Sequence, residues 1–131
     1  MSAEAPGAPR DPAEQDAYEL FQRGLSLIEQ SHWAQAAVPL ERAKRLEPDK
    51  TSIREALGRA YFHSQRYRQA AGEFSAIVEQ NPANDYAHFC LGRSLEKLGD
   101  RPAASRHLSL AAGMRPDRED YRRYRDRVKP E

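Results

Sequence analysis

The sequence predicts an all-α protein built as a stacked array of helix pairs. Three observations carry that prediction. First, residue types recur at one fixed spacing of 34: Gly24, Gly58 and Gly92; Ala36, Ala70 and Ala104; Pro48, Pro82 and Pro116. Second, the apolar residues between these markers fall at helical spacing, i, i+3, i+4 and i+7. Third, no stretch alternates with the period of two that a half-buried strand requires, so no sheet is expected. A period of about 20–50 residues is the signature of a stacked array, in which each unit buries its apolar face on its neighbours.

In chain order, residues 1–16 are rich in proline, alanine and acids, lack an apolar period, and are expected to be a disordered tail. Unit one, 17–50, places Tyr18, Leu20, Phe21, Gly24, Leu25, Leu27 and Ile28 on a first helix and breaks near His32. It continues through Trp33, Ala36, Ala37, Leu40, Ala43 and Leu46. Pro48 stops that helix by forcing its predecessor away from helical angles, and Asp49 stands where it can cap the next. Unit two, 51–84, repeats the pattern with Ile53, Ala56, Leu57, Ala60, Tyr61 and Phe62, then Tyr67, Ala70, Ala71, Phe74, Ile77 and Val78, ending at Pro82. Unit three, 85–118, runs from Phe89, Leu91, Leu95 and Leu98 through a Gly99-Asp100 turn. Pro102 falls in a first helical turn, where it is tolerated, and Ala104, Leu108, Ala111 and Met114 follow before Pro116. Residues 119–131 hold one more helix, with Asp117 as its expected cap. Tyr121, Tyr124 and Val128 share one side of it, the lid that the open end of an array needs. Seven helices result, six of them about 14 residues and ~21 Å long.

Composition removes several function classes. Charged residues make up 31% and hydrophobic residues 39%, and no apolar run approaches the ~18 residues of a membrane span. The first residues lack the basic start and apolar middle of a signal peptide, so a cytoplasmic protein without a membrane partner is expected. Net charge is +1, giving no global field toward nucleic acid. The lone Cys90 permits neither an internal disulfide nor a multi-cysteine metal site. It lies inside a helix, where it reads as a packing residue and not as a nucleophile. His32, His63, His88 and His107 form no HxxxH pair, and no glycine-rich phosphate loop occurs. No catalytic residue, metal or cofactor is therefore expected.

The repeated residues resemble the tetratricopeptide-repeat (TPR) family. Leu20, Gly24, Leu27, Ala36, Leu40, Ala43 and Pro48 match its signature in unit one. Leu57, Gly58, Tyr61, Ala70, Phe74 and Pro82 match in unit two, and Leu91, Gly92, Leu95, Ala104, Leu108, Ala111 and Pro116 in unit three. Gly58 and Ala70 are expected to be small because two helix backbones approach there. The departures are Arg23, Arg54, Ile77 and His88. Arg54 and His88 replace large apolar residues, and Arg54 is expected to extend its head to water.

The resemblance implies a right-handed α–α superhelix of three helix pairs with a capping helix. It also implies a non-enzymatic protein-interaction module, an adaptor or scaffold, whose first helices line a concave groove. On that basis the candidate partner-binding residues are Tyr18, Phe21 and Leu25 from unit one, Glu55, Arg59 and Phe62 from unit two, and Tyr86, Phe89, Arg93 and Lys97 from unit three. Aromatic and arginine content of this kind is favoured at binding hot spots. Trp33 is expected in a turn away from this groove. A TPR subfamily holds acidic chaperone tails in a carboxylate clamp. Its cationic and asparagine places are Phe21, Leu25, Ala56, Tyr86 and Cys90 here, which argues against a chaperone partner. Alternatives are nucleic-acid binding through Arg122, Arg123, Arg125 and Arg127, a regulatory subunit of an enzyme complex, and self-association through the Tyr121–Tyr124 helix. Interleaved Asp117, Glu119, Asp120 and Asp126 argue against the nucleic-acid reading.

Overall fold

The structure, a computed structural model, describes residues 11–129. Its helices are α1 Pro12–Glu29, α2 Trp33–Leu46, α3 Thr51–His63, α4 Tyr67–Gln80, α5 Asp85–Lys97, α6 Arg101–Met114 and α7 Glu119–Arg127, each packed on the next. No strand occurs among the described residues.

The period of the sequence is also a period of the backbone. The turn inside each helix pair places one residue in the left-handed region: Ser31 at φ 61°, Gln65 at 66° and Gly99 at 88°. The following amide then closes back on the first helix, from His32 to Leu27 O at 2.8 Å, Arg66 to Tyr61 O at 2.8 Å and Asp100 to Leu95 O at 3.0 Å. This left-handed closure satisfies carbonyls that a helix end leaves open. Gly99 adopts it without the Cβ penalty that Ser31 and Gln65 carry. Asp100 then caps α6 through a bond from the Ala103 amide, with Pro102 in the first turn. α7 begins one period after α5, so the capping helix takes the place of a further first helix.

Three boundary expectations are corrected. Helix α1 starts at Pro12, inside the expected tail, because Asp11 caps it through the Glu14 amide at 2.9 Å and Pro12 has no amide to leave unsatisfied. The tail expectation for residues 1–10 lies outside the described residues. Asp49 does not cap α3, whose N-cap is Lys50 with no side-chain bond. Asp117 does not cap α7 either. The N-cap is Arg118, and Asp117 accepts two bonds from Arg115 at 3.0 and 3.1 Å.

The central core joins Ala36, Leu40, Leu57, Phe74, Ile77 and Leu91, and a second core joins Phe89, Leu108, Tyr121 and Val128. The glycines sharpen the expected close approach. A Cβ on Gly58 would lie 2.7 Å from the Phe74 ring, and one on Gly92 2.7 Å from Leu108. At Gly58, therefore, a side chain of the second helix sits on bare backbone of the first, and the contact is not backbone on backbone.

Arg54 does not extend to water. Its Nη1 donates to Glu73 Oε1 at 2.9 Å and its Nε to Pro48 O at 2.9 Å, while Lys44 Nζ holds the other oxygen of Glu73 at 2.6 Å. His88 holds the equivalent place in unit three, its Nε2 2.8 Å from Pro82 O and its Nδ1 3.0 Å from His107 Nδ1. Arg122 does the same on α7, donating to Pro116 O. A donor at the same helical place thus ties each unit boundary to the carbonyl of the preceding proline.

Candidate functional site

Helices α1, α3 and α5 supply the candidate residues, and the structure sorts these into two places. Arg59, Phe62, Tyr86, Phe89 and Arg93 line one small cavity of about 60 Å³ between α3 and α5, together with His63, Phe74 and Cys90. Tyr18 and Phe21 line a separate cleft with Ile53, Ser52, Lys50 and Glu47, near the connection into α3. Leu25 is half-buried and packs on the central core. Glu55 is half-buried on α3, and Lys97 is exposed at the end of α5 with its ammonium 6.0 Å from the Tyr67 ring. Tyr18 and Phe21 of unit one and Tyr86 and Phe89 of unit three, expected along one groove, therefore line two separate cavities.

The pocket is cationic and aromatic. The Arg93 guanidinium lies 4.8 Å from the Phe62 ring centre and 4.3 Å from that of Tyr124, within cation–π reach on both sides. Its Nε is buried without a hydrogen-bond partner, an arrangement that costs free energy until an acceptor arrives. Neither Arg59 nor Arg93 forms an ion pair among the described residues. Burial, then the charges of Arg59 and Arg93, hold the His63 imidazole below its ordinary range. Burial pushes the Cys90 thiol up to about 12, so it stays protonated and is no nucleophile. Burial likewise raises the Tyr86 phenol, which bonds to Cys90.

Two features were missed by sequence reasoning. Trp33 opens α2 and stacks on His63, ring centres 4.1 Å apart. It therefore touches a wall of the pocket, correcting its expected place away from the groove. The second feature is how α7 lies. Tyr121 stacks on Phe89 at 4.6 Å, Tyr124 faces Arg93, and Arg127 donates to Glu96 at 2.8 Å. Phe89 is only 8% exposed as a result and serves mainly as core for the capping helix, correcting its expected use as an open anchor. The Tyr121 and Tyr124 spacing was the available signal, but it gave no contact partner on α5.

The basic run on α7 is largely engaged within the chain. Arg122 donates to Pro116 O, Arg125 pairs with Asp126 at 2.9 Å, and Arg127 pairs with Glu96. Among the described residues Arg123 alone of the four forms neither an ion pair nor a side-chain hydrogen bond. No three His, Cys, Asp or Glu side chains among the described residues are arranged to hold a metal ion. No described helix is long and apolar enough to cross a membrane.

The sequence profile of the tetratricopeptide repeat matches residues 27–88. The chain carries tetratricopeptide repeats. Similar solved structures extend the likeness beyond the matched segment. A MamA chain, residues 41 to the end, from Desulfovibrio magneticus RS-1 has a TM-score of 0.83 at 18% identity, over 88% of this chain and 66% of that one. A MamA AMB-1 chain has a TM-score of 0.74 at 26% identity, over 83% and 64%. The first TPR of Spaghetti (RPAP3), bound to the HSP90 peptide SRMEEVD, has a TM-score of 0.81 at 16% identity, over 87% and 90%. The TPR array thus spans about two thirds of these two MamA chains. No curated protein matches the sequence. The architecture is an all-α TPR superhelix, and α7 is its capping helix.

Proposed function

We propose that the array is a non-enzymatic adaptor that holds one segment of a partner protein across α3 and α5. An acidic group of the segment meets Arg59 and Arg93, and an apolar side chain rests on Phe62 and Tyr86. The observation that carries this reading is the pair of arginines, neither in an ion pair, on an aromatic pocket between the two helices that no carboxylate lines. Arginine and tyrosine are enriched where interfaces concentrate their energy. Burying two aromatic contacts contributes about 3–6 kcal/mol before ordering costs, so micromolar affinity, about −8 kcal/mol, also needs the arginine–carboxylate contact. Tyr18 and Phe21 offer a second, separate contact for a longer segment.

Spaghetti binds a chaperone peptide on the same fold. The clamp places of that mode, as the family resemblance assigns them, hold Ala56, Tyr86 and Cys90 here, and the positive charge lies one helical turn later, at Arg59 and Arg93. A chaperone tail is accordingly not the partner proposed. Nucleic acid is also set aside, because most of the α7 arginines are held within the chain.

Selection from a random peptide library, followed by fluorescence anisotropy on the selected peptides, tests the reading. Peptides pairing an acid with an aromatic or aliphatic residue are expected, and Arg59→Gln with Phe62→Ala should weaken them at least tenfold. Selected peptides that bind the double variant as tightly as the wild type would sink the assignment.

A further inference from the structure

The pocket of the proposed function contains a titrating group that recognition alone does not require. His63 closes the α3 side of the cavity and carries Trp33 on its outer face. We infer that the cavity is a proton-linked carboxylate site, in which a partner's aspartate or glutamate side chain seats between Arg59 and Arg93 while His63 takes up a proton. This rests on the interaction reading above and names the chemistry that the pocket selects.

Size and donors both fit. A cavity of about 60 Å³ is roughly two waters' share of liquid volume, room for the three heavy atoms of a carboxylate. Guanidinium forks match that planar group, and the orphaned Nε of Arg93 gains the acceptor that it lacks. The groups facing His63 are Arg59 on its own helix, Arg93, Tyr86 and Cys90 from α5, and His32 from the turn before α2. From α4, Tyr67 meets the neighbouring Phe62 ring and has the Lys97 ammonium 6.0 Å from its own ring. Glu55 acts on Tyr86 and Cys90. Without a carboxylate between the arginines, burial and then the charges of Arg59 and Arg93 hold the His63 imidazole below its ordinary range. A carboxylate between the arginines cancels their field, so the imidazole gains a proton, and the Trp33 ring stabilises the resulting cation. Binding then draws a proton from solvent, and affinity rises as pH falls toward the carboxylate's own range.

The probe is N-acetylglutamate α-amide, titrated at constant ionic strength. His63 ring resonances and the emission of Trp33, the only tryptophan, are the readouts. Affinity should be at least about threefold higher at pH 6.0 than at pH 7.5, with Trp33 quenched as the imidazolium forms. Arg59→Gln should abolish saturation while leaving the thermal transition in place. His63→Gln should keep binding and lose its pH dependence. An affinity indifferent to pH, a pH slope that survives His63→Gln, no saturation at tens of millimolar, or tighter binding of inorganic phosphate than of the glutamate probe would each overturn the inference. The two readings fail separately. Library peptides that survive Arg59→Gln but are lost with Phe62→Ala would overturn this site and leave the adaptor standing.

Discussion

In unit two, Arg54 on α3 faces Glu73 on α4, and 34 residues later the same two places hold His88 on α5 and His107 on α6. Both pairs occupy one site in the repeat, and both first members reach the carbonyl of the preceding proline, Pro48 or Pro82. In unit one the corresponding residues are Leu20 and Pro39, both buried and apolar. The repeat tolerates apolar, ionic or imidazole chemistry here, provided that every buried polar atom finds a partner. What differs is the response to protons. Glu73 is fixed by two cations, Arg54 and Lys44 of the preceding unit, whereas the unit-three pair has Val78 of unit two in the place equivalent to Lys44 and no carboxylate. His88 Nε2 faces only a carbonyl and must donate. Between the two Nδ1 atoms there is room for one proton, so charging both rings removes their hydrogen bond.

The largest effect should come from breaking the ionic version. Glu73→Leu leaves Arg54 and Lys44 without their shared carboxylate and should cost about 3–5 kcal/mol in urea unfolding. Arg54→Leu with Glu73→Leu restores the apolar logic of unit one and should recover most of that loss. A double variant as unstable as the single one would show that the pair is more than mutual compensation. Gly58→Ala disturbs unit two without touching the pair. It drives a methyl into the Phe74 ring, and thermal melts should report a loss of about 1–3 kcal/mol.

The imidazole version should show itself in acid. Burial, then the charge of His88 and of Arg106, holds His107 below its ordinary range. A folded pKa below the unfolded one means that the stability is present above the unfolded value of about 6.5 and is lost as pH falls through it. Melting temperature should therefore drop from pH 7.5 to 5.5, by less than Gly58→Ala produces. Installing unit two's chemistry with His88→Arg and His107→Glu should flatten most of that dependence, leaving the part owed to His63. An unchanged pH profile in that variant would assign the acid sensitivity elsewhere.

The helix pairs were legible because their signals are local: a small residue, a proline and an apolar stripe per period. The start of α1 was not, because Asp11 and Pro12 initiate a helix through capping before any apolar stripe begins. The pairs 54–73 and 88–107 were only half legible. Arg54 and His88 stood out as departures from an apolar place, but their partners lie 19 residues on, across a helix pair. Sliding the chain by one period would have revealed that both departures share that separation. At the site, first-helix places led to Arg59, Phe62, Tyr86 and Arg93. The Trp33–His63 stack and the cover of α7 over Phe89 depend on how helices lie against each other, which no local pattern records.

The central claim is that partner segments engage the pocket between α3 and α5. Amide and indole chemical shifts of the labelled chain, followed during titration with a selected acidic peptide, test it most directly. Shifts should concentrate at Arg59, Phe62, His63, Tyr86 and Arg93 and at the Trp33 indole. Shifts confined to Tyr18 and Phe21, or to Arg123 on α7, would contradict it.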